Sequence, residues 1–248
     1  MKSHPSSGGP VAPDTLADLA AASRILAARG VVDGMGHVSL RHPAAPDRFL
    51  ISRSMAPALV TPDDIVELDL NSEPCDPDAP GSFLERFIHG EIYRARPDVM
   101  SVVHSHSASV IPFGLSGPGM RAMYHNAAFL SCDVPVFDIR EDFGTTDMLV
   151  CDCARGSSLA ATLGERSVAL MRAHGSVACG PTLRLAVFRA VYTEVNARIQ
   201  HWTNALASGG DIAALSREEA ELADVANTGA ATRSWELWRA EVHDQTGW

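Results

Sequence analysis

VMSVVHSH, residues 99–106, is a β-branched apolar run that ends on two histidines one residue apart. Bounded upstream by Arg96-Pro97-Asp98, it predicts a buried strand. Side chains alternate across a strand, so His104 and His106 share one face and Ser105 takes the other. Two imidazoles so placed can share one cation at about 2.0–2.1 Å each. The same pair also suits two unrelated polar residues at a strand end.

Downstream, SVALMRAHGSVACG (167–180) reads as two buried strands with a turn at Gly175. His174 lies in this apolar run and needs a partner, since buried polar groups are costly when unsatisfied. A metal would supply one, and so would a backbone carbonyl. Residues 182–209 form one long helix with an apolar stripe through Leu185, Phe188, Val191, Val195 and Ile199. The tail, 210–248, reads as a helical appendage carrying Trp235 and Trp238.

Upstream, residues 82–95 have a helical pattern. Ser82-x-x-Glu85 opens it as a capping box, in which Glu85 satisfies backbone donors. Glu85 also lies four residues before His89 and shares its helical face. Short strands are expected at 37–42, 48–52, 64–70 and 134–139, and helices at 15–29, near 107–114 and at 157–163. Without a strict βαβ rhythm, this mixture favours a three-layer α/β/α domain over 14–209. Residues 1–13, rich in Pro, Gly and Ser, read as a disordered leader.

With 20 Lys and Arg against 30 Asp and Glu, the net charge is −10. That balance excludes a nucleic-acid surface, and an anionic substrate would require a local basic pocket. No apolar run approaches the roughly 20 residues that span a bilayer. The five cysteines, odd in number and sparse, read as free thiols in a reducing cytoplasm.

GMGHVSLRHP, FLERFIHGEIYRARPDVMSVVHSH and LMRAHGSVACG, in that order, resemble the class II aldolase/adducin family. The resemblance spans roughly Thr15 to Gln200. It implies an α/β/α sandwich with a mainly antiparallel central sheet and a homotetramer with active sites between subunits. It also implies one divalent metal ion per subunit on His104, His106 and His174, with Zn favoured and Mn, Co or Fe as alternatives. Glu85 then falls on the family's catalytic acid/base, which reverses its local reading as a cap. Tyr124 and His125 would be further catalytic donors from a neighbouring subunit.

The departures bear on the substrate. His37 stands where sugar-phosphate members have a phosphate-binding Asn, and Ser54-Met55 near their Thr-Gly pair. Phe83 and Leu84 replace two serines, so a phosphate dianion would be desolvated against apolar walls. A planar, partly apolar carboxylic acid fits better, with His37, Ser39, Arg41, Ser54 and Phe83 as its binding residues. Arg41 or Arg53 would hold a second carboxylate by a bidentate pair, or be a solvated surface charge. The blocks at 123–130, 134–149 and 186–200 resemble the family's decarboxylase branch, which acts on hydroxylated aromatic acids. The expected activity is therefore a metal-dependent, non-oxidative decarboxylase. A metal-dependent aldolase or epimerase, on a hydroxy-ketone or sugar phosphate, is the alternative, and a non-catalytic adducin-like module a third.

Overall fold

The computed structural model describes residues 4–117, 119–131 and 133–246. Seven strands form one sheet in the order β3-β2-β1-β4-β7-β6-β5. They are β1 (His37–Arg41), β2 (Arg48–Ser52), β3 (Ile65–Asp69), β4 (Ser101–Ser105), β5 (Val136–Phe137), β6 (Val168–Met171) and β7 (Gly175–Gly180). Every pairing is antiparallel except that of β5 with β6. The expected α/β/α sandwich with a mainly antiparallel sheet is what the chain adopts.

Alternation along the strands supplies two apolar faces. Val38, Leu50, Val103 and Ala178 join a core beneath α1 (Pro13–Ala28), α5 (Leu183–Ala207) and α6 (Arg217–Thr246). Phe49, Ile51, Val102 and Val177 join a second core with α2 (Phe87–Ala95) and α4 (Cys153–Leu163). A short helix, α3 (Ile139–Phe143), packs beside α4. No helix among the described residues is long and apolar enough to cross a membrane.

Three expectations need correction. The tail is no appendage: Trp235 and Trp238 are buried in the first core, because α6 packs on α1 and α5. The described part of the leader is irregular but tethered, with Ser7 Oγ and the Gly8 N–H donating to the Glu67 carboxylate at 2.6 Å each. The buried face of α5 is also more polar than its stripe suggested. Val195 and Ile199 are only half-buried, whereas Asn196 and Gln200 are buried and bond to the backbone of residues 119–123. Cys132 lies outside the described residues, and Cys75, Cys151, Cys153 and Cys179 are free thiols.

The three central strands position the chemistry. His37 on β1 lies directly opposite His104 on β4, and Ser105 lies opposite Ser176 on β7. The β6–β7 turn passes through Ala173 at φ 54° and delivers His174 to the same end of the sheet. Gly175 makes that approach possible, since a Cβ there would lie 2.0 Å from the Ser105 carbonyl oxygen.

Candidate active site

His104, on β4, is wholly buried, and His106 follows just beyond the strand end. His106 Nε2 lies 3.0 Å from His104 Nε2 and 3.0 Å from His174 Nε2. The outer nitrogens of two rings are committed. His104 Nδ1 donates to the Ser176 carbonyl at 3.2 Å, and His174 Nδ1 donates to the Met148 carbonyl at 3.0 Å. A carbonyl only accepts, so each Nδ1 carries a hydrogen, and as metal ligands the two rings would turn Nε2 lone pairs inward. Lone pairs that converge this closely repel one another unless a cation lies among them. Tetrahedral ligands about 2.0–2.1 Å from a metal stand a little over 3 Å apart, so the donor set fits a divalent ion. Burial, then the His104 and His174 rings, push His106 down to about 4, which keeps its imidazole neutral as a ligand must be.

Glu85 completes the cluster, with one ligand atom from each of the four side chains lying within 4.8 Å of the others. Its Oε2 is 3.4 Å from His104 Nε2 and 3.3 Å from His174 Nε2, and its Oε1 accepts the Val150 N–H at 3.0 Å. Burial works to raise this carboxyl, whereas positive charge held at the His104 and His174 Nε2 atoms, a proton or a cation, lowers it. The capping-box reading fails. Glu85 sits in a short 3₁₀ turn, Leu84–Arg86, with no side-chain cap, and the buried Ser82 hydroxyl has no hydrogen-bond partner.

A cleft of about 650 Å³ opens onto Glu85 and His106. Its walls include Met35, Met55, Phe83 and Leu149, with His37 and Ser54 as polar lining. No Lys or Arg is among the described residues that line it, so the basic pocket expected for an anionic substrate is not built from this chain's cationic side chains. A larger cleft, about 810 Å³, lies between α6 and the β6 end of the sheet and touches none of the histidines.

Residues 17–201 match the model of the class II aldolase and adducin N-terminal domain. The chain belongs to the class II aldolase and adducin family. Within it, the chain is 37% identical over 241 residues to decarboxylase tropJ of Talaromyces stipitatus, covering 88% of this chain and 90% of that one. It is 31% identical to the 3,4-dihydroxyphthalate decarboxylase of a Terrabacter species over 241 residues, covering 90% and 94%. An aldolase II superfamily protein from Pseudomonas syringae superposes with a TM-score of 0.79 at 21% identity, covering 96% and 95%, and shares the fold.

Against this family frame, the expected binding residues divide. His37, Ser54 and Phe83 line the cleft, with the His37 and Phe83 ring centroids 4.4 Å apart. Ser39 does not reach it: the side chain is wholly buried, with its hydroxyl between His89 Nδ1 at 2.6 Å and the Tyr93 hydroxyl at 2.7 Å. Arg41 is likewise no substrate ligand. Its guanidinium donates to the carbonyls of Val99, Pro46, Tyr93 and Arg96, which leaves no fork for a carboxylate. Arg53 gives its Nε to Asp64 at 2.7 Å.

Tyr124 and His125 do not meet the histidine cluster within one chain. Tyr124 packs on the first core, its ring 6.3 Å from that of Tyr192, and the His125 carbonyl accepts from Asn227. Sequence reasoning missed Val150 and Tyr93, and placed His89 beside Glu85 without giving it a role. The spacing Glu85, His89, Tyr93, four residues at each step, was the available signal for Tyr93.

Proposed function

We propose that this protein is a divalent-metal-dependent, non-oxidative decarboxylase of a hydroxylated aromatic or related unsaturated carboxylic acid. One observation carries the reading: the three converging imidazoles and Glu85 stand at the end of a cleft walled by Phe83, Met35, Met55 and Leu149. An apolar slot suits a planar ring and disfavours a phosphate dianion. Two relatives bearing decarboxylase names, at 37% and 31% identity, support the same choice of reaction.

His104, His106 and His174 would hold the ion. When bound, it would supply Lewis-acid stabilisation of negative charge. We infer Zn as the resident ion, with Mn, Co or Fe(II) compatible with three imidazoles. The apolar walls orient the ring and exclude water around the carboxyl-bearing carbon. The bond from that carbon to the carboxylate breaks, carbon dioxide leaves, and the electron pair stays on the carbon. Glu85 Oε2 takes up the proton of the neighbouring substrate hydroxyl and returns it to that carbon as the new C–H. The Val150 N–H holds Oε1 meanwhile, so the proton is carried on the oxygen that faces the cleft.

The family resemblance further supports a homotetramer in which Tyr124 and His125 reach a neighbouring subunit's site. Trp202 and Leu206, exposed at the end of α5, suit such contacts. The free thiols suit a reducing cytoplasm. The test is a screen of hydroxylated aromatic dicarboxylates for carbon dioxide release, with and without chelator. Release that chelation abolishes is expected. An aldehyde product without carbon dioxide would overturn the decarboxylase in favour of an aldolase.

A further inference from the structure

Beneath the cleft, four side chains of β1 and α2 form an unbroken hydrogen-bonded chain that the reaction above does not use. The Tyr93 hydroxyl meets Ser39 Oγ at 2.7 Å. Ser39 Oγ meets His89 Nδ1 at 2.6 Å, and His89 Nε2 meets His37 Nδ1 at 2.6 Å. All four residues are buried. Its His37–His89 link joins β1 to α2 across 52 residues of sequence.

Each link needs one hydrogen and one lone pair, so the chain can run throughout in either of two directions. The remaining arrangement, with Ser39 Oγ accepting from both Tyr93 and His89, leaves the buried Ser39 hydrogen without an acceptor. In the first, Tyr93 O–H donates to Ser39, Ser39 O–H donates to His89 Nδ1, and His89 Nε2–H donates to His37 Nδ1. Every buried hydrogen then has an acceptor, and the hydrogen of His37 is on Nε2. In the second, His37 Nδ1–H donates to His89, His89 to Ser39, and Ser39 to the tyrosine oxygen. The Tyr93 O–H is then left without an acceptor among the described residues, an arrangement that buried hydroxyls avoid. A doubly protonated His37 would force this second direction too. A second proton on His89 would likewise turn Ser39 toward Tyr93 and strand the Tyr93 hydrogen, so only one hydrogen on each ring gives every buried hydrogen an acceptor.

The geometry points to His37 as an obligate hydrogen-bond donor in the cleft, its Nε2–H aimed at a negatively charged substrate oxygen, with Tyr93, Ser39 and His89 as positioning residues that fix its tautomer. His37 Nε2 has no protein partner among the described residues, and its ring lines the cleft. The cleft lacks Lys and Arg among its described lining, so this N–H is a donor the chain offers to an anion beside the ion site. A lone-pair acceptor at that place would repel a carboxylate. The inference rests on the carboxylic acid reading for the identity of the ligand, but the tautomer itself does not.

Nitrogen-15 NMR of the full chain labelled at histidine tests it, with His37 assigned by the signals that vanish in His37→Phe. A protonated Nε2 with a bare Nδ1 is expected, and the reverse pattern overturns the inference whatever the enzyme turns over. Ser39→Ala cuts the chain in the middle. It should leave His37 distributed between both tautomers, and unchanged His37 signals would refute the positioning role. With a hydroxylated aromatic acid as substrate, His37→Phe should raise KM roughly tenfold to hundredfold, the worth of a hydrogen bond to a charged group. His37→Gln, which keeps an N–H, should recover most of that. Equal KM in the two variants would refute the donor role, whereas absence of any turnover would refute only the decarboxylase.

Discussion

The Val150 backbone N–H donates to Glu85 Oε1 at 3.0 Å, which turns Oε2 toward His104 and His174. A carboxylate clamped on one oxygen keeps a fixed orientation while the other takes and returns a proton. Glu85→Gln preserves the shape and the acceptor for Val150 but removes the basic oxygen. Its kcat should fall by roughly 10²–10⁴-fold, while metal content stays at the wild-type level. Carbon dioxide release and elemental analysis on the same preparation check both halves.

The same residue marks where sequence stopped being informative. A capping box is a local pattern, and Ser82-x-x-Glu85 satisfies it on paper. Glu85 instead bonds to Val150 and faces His104 on β4 and His174 in the β6–β7 turn, contacts that exist only after the sheet has formed. The family blocks made that visible where local pattern pointed elsewhere. Strands were more legible: β2 falls on 48–52 as expected, because turn residues bracket a short β-branched and aromatic run. Polar burial was not. Asn196 and Gln200 look like solvent-facing residues of α5 until residues 119–123 fold over them. Arg41 looked like a carboxylate clamp because nothing local reveals four carbonyls gathered around it.

Metal content separates an enzyme from a bare scaffold. Protein purified without chelator should carry about one divalent ion per chain, and His104→Ala should carry close to none. A ligand that binds only the folded state stabilises it, so chelation should lower the wild-type melting temperature by about 5–10 °C. His104→Ala should show no such shift. Scanning fluorimetry with and without chelator reads this directly.

The pH dependence of stability should carry the mark of His89. Burial pushes this imidazole down to about 3 in the folded protein, whereas an unfolded chain protonates it near its ordinary value of 6.5. Below that value the unfolded state binds the extra proton and the folded state does not. Stability from this group is therefore complete above about pH 6.5 and declines as pH falls toward about 3, with a slope of up to about 1.4 kcal/mol per pH unit. His89→Gln should show a shallower loss between about pH 6.5 and pH 4.5 in urea titrations. Parallel curves would refute the assignment.

The C-terminal helix should prove inseparable from the domain. Trp235 is 2% exposed and joins the core shared by α1 and α5. Trp235→Ala should cost about 3–5 kcal/mol, read from chemical denaturation. A chain ending at residue 210 would expose that core and should aggregate, whereas a true appendage would be removed without loss.

Phe83 gives the sharpest test of substrate class, because it faces His37 and closes the apolar side of the cleft. Phe83→Ser returns a hydroxyl of the kind found in the sugar-phosphate members and removes the surface on which a planar ring would lie. Losing the burial of one aromatic side chain is worth about 1.5–3 kcal/mol, so KM for a hydroxylated aromatic acid should rise roughly tenfold to hundredfold. Because Phe83 is not a ligand of the ion site, metal content should hold and kcat should change far less than KM. A matched fall in kcat with unchanged KM would mean that Phe83 shapes the ion site instead of the ring slot, and that the aromatic substrate class had been inferred from the wrong wall.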